Sequence, residues 1–138
     1  MPASGPSVDD IQHVAAFRVA LRRFFRQTEL AARASELTPR QYLLLLLVKG
    51  APNGSETANI GELAHRLHLA QSTVTELVSR AVDSGLVTAS AAAADGRVTE
   101  IHLTNEGERR LAECFWTLDQ ERKVLQEALA EIDIGVGL

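Results

Sequence analysis

Residues 59–104, which read NIGELAHRLHLAQSTVTELVSRAVDSGLVTASAAAADGRVTEIHLT, decide the fold of this chain. A capping box that opens at Asn59 predicts a short helix through Leu67. Helical spacing of apolar residues predicts a second helix from Gln71 to Ser84, which a glycine ends. Two strands follow, and the hairpin-turn dipeptide Asp95-Gly96 is expected to join them.

The second predicted helix has two distinct faces. Its inward positions are Val74, Leu77, Val78 and Ala81, and its outward positions are Gln71, Ser72, Thr75, Glu76, Ser79 and Arg80. His68 falls at the turn before it, where a positive φ is often needed. Two helices joined by a tight turn and followed by a hairpin form a device that places a helix in the DNA major groove, with a β wing beside it.

Two further helices precede this stretch. Apolar spacing and two early aspartates predict a long helix from about Asp10 to about Ser35. Thr38, Pro39 and Gln41 form a strong helix start. The LLLLLV run after them is apolar all round, so we expect that helix to be central and buried.

The last helix is expected to begin after Thr104, whose side chain suits a cap. Its apolar residues are separated by alternating steps of four and three, with one polar position in the series. The series is Leu111, Phe115, Leu118, Arg122, Leu125, Leu129 and Ile132. Such a seam is typical of a helix that pairs with another helix.

Composition limits the class of protein. The 138 residues are 46% hydrophobic and 23% charged, which suits one globular domain. No window of 18 uncharged apolar residues exists, so a membrane-spanning segment is excluded. The first residues lack the pattern of a signal peptide, and the single cysteine, Cys114, cannot form an intrachain disulfide. We therefore expect a cytoplasmic protein.

The charge distribution argues against simple binding of nucleic acid. Net charge is −4, whereas phosphate binding relies on Lys and Arg. Residues 59–104 contain the three cations Arg66, Arg80 and Arg97 against five acids, which are Glu62, Glu76, Asp83, Asp95 and Glu100. Five arginines lie instead between Arg18 and Arg33, on the first predicted helix.

An ordered set of short motifs resembles the MarR-type winged-helix transcription regulators. The matching segments are Leu37-Thr38-Pro39-x-Gln41-Tyr42, Ile60-Gly61-Glu62-Leu63-Ala64, Leu67-His68-Leu69, Ser72-Thr73-Val74-Thr75, Leu77-Val78-x-Arg80, Gly85-Leu86-Val87, Asp95-x-Arg97 and Leu103-Thr104-x-x-Gly107. Each segment alone is a weak signal, but their common order and spacing are specific. The chain departs from the family pattern at His68, at Glu76 and in the alanine-rich wing.

The resemblance implies a mainly α fold, a winged helix-turn-helix with a small two- or three-stranded β wing and long N- and C-terminal dimerisation helices. Residues 1–138 would form a single MarR-like domain, with dimerisation helices at 10–36 and 104–134 and a winged-helix DNA-binding lobe at 37–103. It also implies a homodimer that binds pseudo-palindromic operator DNA. A small aromatic or anionic effector would release the DNA, as in a repressor.

The candidate DNA-binding residues are Gln71, Ser72, Thr73, Thr75, Glu76, Ser79, Arg80, Asp95 and Arg97. Arg80 has two interpretations, a phosphate contact or an ion pair with Asp83 or Glu76. Asp95 and Arg97 also have two. The aspartate can orient an arginine that enters the minor groove, or it can satisfy amides within a turn.

Other residues suggest weaker hypotheses. Cationic residues on the first helix are a solvated or acid-paired face, or part of an anion pocket, for which the candidates are His13, Arg22, Arg26 and Tyr42. Cys114 reads as a buried, inert thiol. No metal site, cofactor motif or catalytic constellation is predicted, so the chain is not expected to be an enzyme. The alternative function is a winged-helix dimer with little or no DNA binding that senses a ligand or binds a protein.

Overall fold

The computed structural model describes residues 4–92 and 95–132, and it describes the side chains in those ranges except at 92–98. The helices are α1 (Val8–Ala34), α2 (Pro39–Lys49), α3 (Ile60–Leu67), α4 (Gln71–Asp83), α5 (Asn105–Thr117) and α6 (Asp119–Ala130). The strands are β1 (Thr57–Ala58), β2 (Val87–Ala92) and β3 (Asp95–Leu103). The predicted mainly α fold with a small β wing is therefore confirmed.

The chain contains two compact units. One consists of the residues up to Ala31 together with those from Trp116 onward, and the other is Ala32–Phe115. The second unit holds the helix-turn-helix and the whole sheet. None of the helices in the described ranges is long and apolar enough to cross a membrane.

The wing is an antiparallel sheet of three strands in the order β1-β3-β2. Its central strand pairs Ile101 with Ala58 on one side and with Ala89 on the other. Ile101 is fully buried, so this residue anchors the sheet to the core of the unit. The short β1, which the sequence pattern did not reveal, supplies the third strand.

The predicted turn at Asp95-Gly96 is wrong. Strand β3 already begins at Asp95, which pairs with Ala92, and the register shifts between Ala91 and Ala92. Residues 93–94, between the two strands in sequence, lie outside the described ranges. Alanine is a poor strand former, but the ladder of hydrogen bonds uses backbone groups, so β3 can extend the pairing into the alanine run.

Helix α2 begins as predicted and is central to its unit. Thr38 Oγ1 accepts from Gln41 N at 3.1 Å and Thr38 N donates to Gln41 Oε1 at 3.0 Å, which completes the capping box. Leu44 and Leu45 are fully buried, whereas Leu43 is 42% exposed. The prediction of a helix buried on every side is therefore wrong at one face, because apolar sequence alone does not show which face lacks a neighbour.

The predicted last helix is interrupted. Helices α5 and α6 are separated by Leu118, whose φ of −90° and ψ of 2° depart from the helical values. Leu118 is nevertheless buried, and Arg122 N donates to its carbonyl oxygen at 2.9 Å. The apolar spacing predicted where side chains are buried, but it could not reveal a local change in backbone angle.

The start of α5 packs tightly against the residue that precedes β2. Thr104 Oγ1 accepts from Gly107 N at 3.0 Å, which confirms the predicted cap, and it donates to Gly85 O at 2.5 Å. Gly107 is buried, and a Cβ atom at this position would collide with the carbonyl oxygen of Leu86. The first turn of α5 therefore requires glycine.

A second set of polar contacts ties α5 to the turn before α2. Arg110 Nη1 donates to Glu36 O at 3.0 Å, and Arg110 Nε donates to Glu106 Oε1 at 2.8 Å. Glu106 also accepts from Arg109 at 2.6 Å. Hydrogen bonds from Arg109 and Arg110 lower the pKa of Glu106 to about 2, so this carboxylate stays charged in ordinary buffers.

We expect Gly107→Ala to reduce the free energy of unfolding by about 3 kcal/mol, since its methyl group would overlap backbone atoms that cannot rotate away. Urea denaturation followed by circular dichroism measures this change. Gly61→Ala is the matched control, because that helical glycine has its nearest side-chain neighbour, Asn59 Oδ1, at 3.4 Å. Equal stability of the two variants would contradict the packing described here.

Candidate nucleic-acid interface

The turn between α3 and α4 sets the direction of α4. Asn59 Oδ1 accepts from Glu62 N at 2.8 Å, so the predicted capping box is present and opens α3. His68 has φ 55° and ψ 42°, which confirms the predicted positive φ. After this left-handed residue, Leu69 N donates to Ala64 O at 3.1 Å, and the chain can start α4 at once.

Helix α4 has one buried and one exposed side. Val74 and Ala81 are fully buried, Val78 is 5% exposed and Leu77 is half-buried, which agrees with the predicted inward set. The predicted outward residues are all exposed, and these are Gln71, Ser72, Thr75, Glu76, Ser79 and Arg80. Thr73 is half-buried. We call the six exposed residues the polar face of α4.

One ion pair dominates the polar face of α4. Arg80 Nη2 donates to Glu76 Oε1 at 2.6 Å, and both side chains remain largely exposed, at 73% and 65%. Of the two interpretations of Arg80, the free protein shows the ion pair, with Glu76 rather than Asp83 as the partner. Arg80 is the one cation in the sequence of α4, so the polar face carries no net charge.

A groove of about 460 Å³ lies between α4 and the start of α2. Its lining residues are Thr38, Pro39, Arg40, Gln41, Thr73, Glu76, Leu77 and Arg80. Arg40 and Arg80 therefore line one groove, next to the positive end of the α2 dipole. Glu76 lines the same groove and pairs with Arg80, so Arg40 and the helix N-terminus are the groups that suit a phosphate.

Arg40 was not among the candidates that the sequence suggested. It is exposed and occupies the first turn of α2, directly after Pro39. A cation at the start of a helix opposes the helix dipole and costs stability, so this position is unusual for arginine. The unfavourable position of Arg40 in the helix dipole was the signal available in the sequence. Only the packing of α2 beside α4 shows that Arg40 lies next to the polar face.

The wing residues Asp95 and Arg97 lie in β3, but their side chains are outside the described ones. The minor-groove contact predicted for them is not tested and stays a prediction. The alternative contact required a turn at Asp95-Gly96, where β3 lies instead. The alanines Ala89 and Ala91 and the intervening Ser90 are exposed on β2. Strand β2 therefore offers no charged side chain to a phosphate between Val87 and Ala91.

The four candidate ligand residues do not share one unit. His13, Arg22 and Arg26 lie on α1, whereas Tyr42 is a buried residue of α2 in the other unit. His13 Nδ1 lies 3.5 Å from Asp9 Oδ2, and Arg26 lies 3.4 Å from Glu29. The ligand site stays a prediction.

Acid pairing accounts for part of the cationic stretch on α1. Arg23 Nη2 and Nε donate to the two carboxylate oxygens of Glu121 at 3.2 and 3.3 Å. This pair joins α1 to α6 within one compact unit. Cys114 is fully buried, in agreement with the buried thiol that the sequence predicted.

Comparison with known proteins agrees with this geometry. Residues 35–98, which contain α2, α3, α4 and the start of the wing, match the MarR family. Over these residues the chain resembles the MarR family. Proteins of this family are transcription regulators, which supports the prediction that the chain is not an enzyme.

Three proteins similar to this chain match different parts of it. It is 35% identical over 77 residues to YsmB of Bacillus subtilis, an uncharacterised HTH-type transcriptional regulator, and the match spans 56% of the chain and 53% of YsmB. The M. tuberculosis transcriptional regulator MOSR, solved in complex with DNA, is 28% identical, with a TM-score of 0.60 over 83% of this chain and 77% of MOSR.

The third relative is AbsC of Streptomyces coelicolor, a MarR family transcriptional regulator. Its TM-score is 0.73 at 16% identity, over 96% of this chain and 93% of AbsC. At that identity the likeness concerns the fold alone. The chain therefore has the MarR fold over nearly its whole length, while it matches about half the length of the curated relative YsmB.

Substitution of His68 tests the turn that aims α4. We expect His68→Gly to increase the free energy of unfolding by about 0.5–1 kcal/mol, because glycine adopts a left-handed conformation without the steric cost of a Cβ atom. His65→Gly is the control, since His65 lies within α3, where glycine should cost about 1 kcal/mol. Urea denaturation of both variants measures the two effects, and loss of stability in His68→Gly would contradict the expectation.

Proposed function

We propose that this protein is a dimeric DNA-binding transcription regulator that represses its target until a small effector binds. The observation that carries the proposal is the polar face of α4, which is exposed beside the groove containing Arg40 and Arg80. The relation to MOSR, which was solved with DNA, supports the same activity. Binding to operator DNA also agrees with the predicted cytoplasmic location.

The two parts of this surface suit different parts of a DNA duplex. Gln71, Ser72 and Thr75 present hydrogen-bonding groups of the kind that read base edges in a major groove. Arg40 and the start of α2 lie to one side of α4, where a phosphate backbone would pass. We therefore expect α4 to recognise bases and the groove beside it to contact the DNA backbone.

Exposed apolar side chains support a homodimer. The compact unit formed by α1 and the C-terminal segment exposes eight large apolar residues among those that the structure describes. They are Val8, Ile11, Val19, Phe25, Leu30, Trp116, Val124 and Leu129. Extensive exposed apolar surface marks interaction sites in soluble proteins. In a two-fold dimer, the two copies of α4 would enter major grooves about 10 base pairs apart.

The effector part of the proposal rests on the ligand residues predicted from the sequence. Isothermal titration calorimetry with benzoate and phenol tests for an aromatic or anionic ligand. DNase footprinting over the DNA that flanks the gene, with and without a ligand that binds, tests repression by operator occupancy. Protection that is lost on addition of the ligand would support a ligand-responsive repressor, and protection that persists would contradict that part of the proposal.

A second function is favoured by the charges of the lobe. Arg80, the one cation in the sequence of α4, is paired with Glu76. The exposed part of β2 has no charged residue up to Ala91. A winged-helix dimer with little or no DNA affinity would then act through a ligand or a partner protein. An electrophoretic mobility shift with flanking DNA distinguishes the two functions, since only the regulator would give a saturable, sequence-dependent complex.

Arg97 provides a direct test of the wing. We expect Arg97→Ala to abolish operator binding, because the wing has no other cation to enter the minor groove. Gel-shift titration measures binding, and size-exclusion chromatography with light scattering checks that the dimer is intact. Unchanged binding in a properly assembled variant would contradict the proposed role of the wing.

Arg40 provides a separate test of the groove. The affinity of the wild-type protein for DNA should fall only gradually with added salt. The slope should correspond to neutralisation of a few phosphates per dimer. We expect Arg40→Ala to reduce the slope of log K against log salt by about 2, since each protomer would lose one phosphate contact. Arg18→Ala on α1 removes the same charge and should leave the slope unchanged. Equal slopes for the two variants would show that Arg40 does not contact a phosphate.

A further inference from the structure

We infer that Glu76 and Arg80 act together as a reader of one C·G base pair in each operator half-site. This inference rests on the proposed function and specifies which sequence feature the polar face of α4 selects. The two side chains are already joined at 2.6 Å in the free protein. They form a preassembled unit of one carboxylate and one guanidinium.

The remaining atoms of the pair are available to DNA. Only Arg80 Nη2 and Glu76 Oε1 are bonded to each other, and within the described ranges neither side chain has another hydrogen bond or ion pair. One carboxylate oxygen and several guanidinium N–H groups therefore face solvent, on side chains that are 65% and 73% exposed. The unit presents an acceptor directly beside donors.

Charge limits what this unit can contact. A carboxylate repels phosphate, and the guanidinium beside it is already neutralised, so the pair is a poor anchor for the DNA backbone. Glu76 and Arg80 nevertheless project from the same exposed face as Gln71 and Thr75, which faces away from the protein core. Base edges in the major groove are the partners that accept such a neutral arrangement.

Among base pairs, C·G has the complementary pattern. Cytosine offers the N4 amino donor, and its paired guanine offers the O6 and N7 acceptors next to it. The free carboxylate oxygen of Glu76 can accept from cytosine N4, while Arg80 donates to guanine O6 or N7. An A·T pair fits less well, because adenine N6 lies between two single acceptors, adenine N7 and thymine O4. The guanidinium would meet one acceptor there, whereas guanine offers it two adjacent ones.

A masking role is the main competing interpretation. In that case Glu76 would only hold Arg80 away from a phosphate, and its removal would strengthen binding to every sequence. Masking gives the free carboxylate oxygen of Glu76 no partner in the complex and leaves its charge facing phosphates. A released Arg80 would leave Glu76 unpaired against DNA, whereas the C·G contact satisfies both groups.

Selection from a randomised duplex library tests the inference. The wild-type protein should enrich half-sites with one C·G pair at a fixed position and discriminate against its replacement by about tenfold. Glu76→Gln should change the preference at that position toward A·T, since a glutamine amide pairs with adenine N6 and N7. Glu76→Ala should bind the operator more weakly and lose the preference there. Asp83→Asn, which removes the charge of an exposed acid of α4 outside the polar face, should retain it.

The possible outcomes separate the inference from the proposed function. An identical consensus for the wild type, Glu76→Gln and Glu76→Ala overturns the inference while the regulator function stands. Tighter binding of Glu76→Ala to all sequences, with a steeper salt dependence, also overturns it in favour of masking. Failure of the folded wild-type dimer to enrich any sequence refutes the proposed function itself, and the base-reading role with it.

Discussion

Burial of one side of α4 is the constraint on which the rest of the lobe depends. Val74 and Ala81 are fully buried, and this orientation leaves the opposite side of the helix to polar residues. The left-handed turn at His68 and the small Ala64 allow α3 and α4 to approach closely. Because these packing requirements fix the rotation of α4, they also decide which side chains a DNA duplex would meet.

The polar face of α4 has an unusual balance of charge for a surface proposed to bind DNA. Most nucleic-acid-binding surfaces carry excess positive charge, whereas here the one cation of α4 is paired with Glu76. Backbone contacts are then left to the groove beside Arg40 and to the wing. We expect weak attraction to DNA in general and a larger contribution from base edges, which is the combination that the C·G inference describes.

Local signals in the sequence predicted local structure well. The caps at Thr38, Asn59 and Thr104 were recognisable because each needs only a side chain and amides within three residues. Features that depend on distant neighbours were missed or wrong. Strand β3 includes Asp95 and Gly96, where a turn was expected, and the single last helix is interrupted at Leu118.

By itself, the sequence determined the helix-turn-helix, the two faces of α4 and the three caps, because helical spacing and capping act over a few residues. Tertiary structure decided that Arg40 lines a groove with Arg80, since α2 and α4 are separated along the chain. It also decided which acid pairs with Arg80 in the free protein. Helical spacing allowed Glu76 or Asp83 as its partner, and only the folded arrangement of side chains selects Glu76.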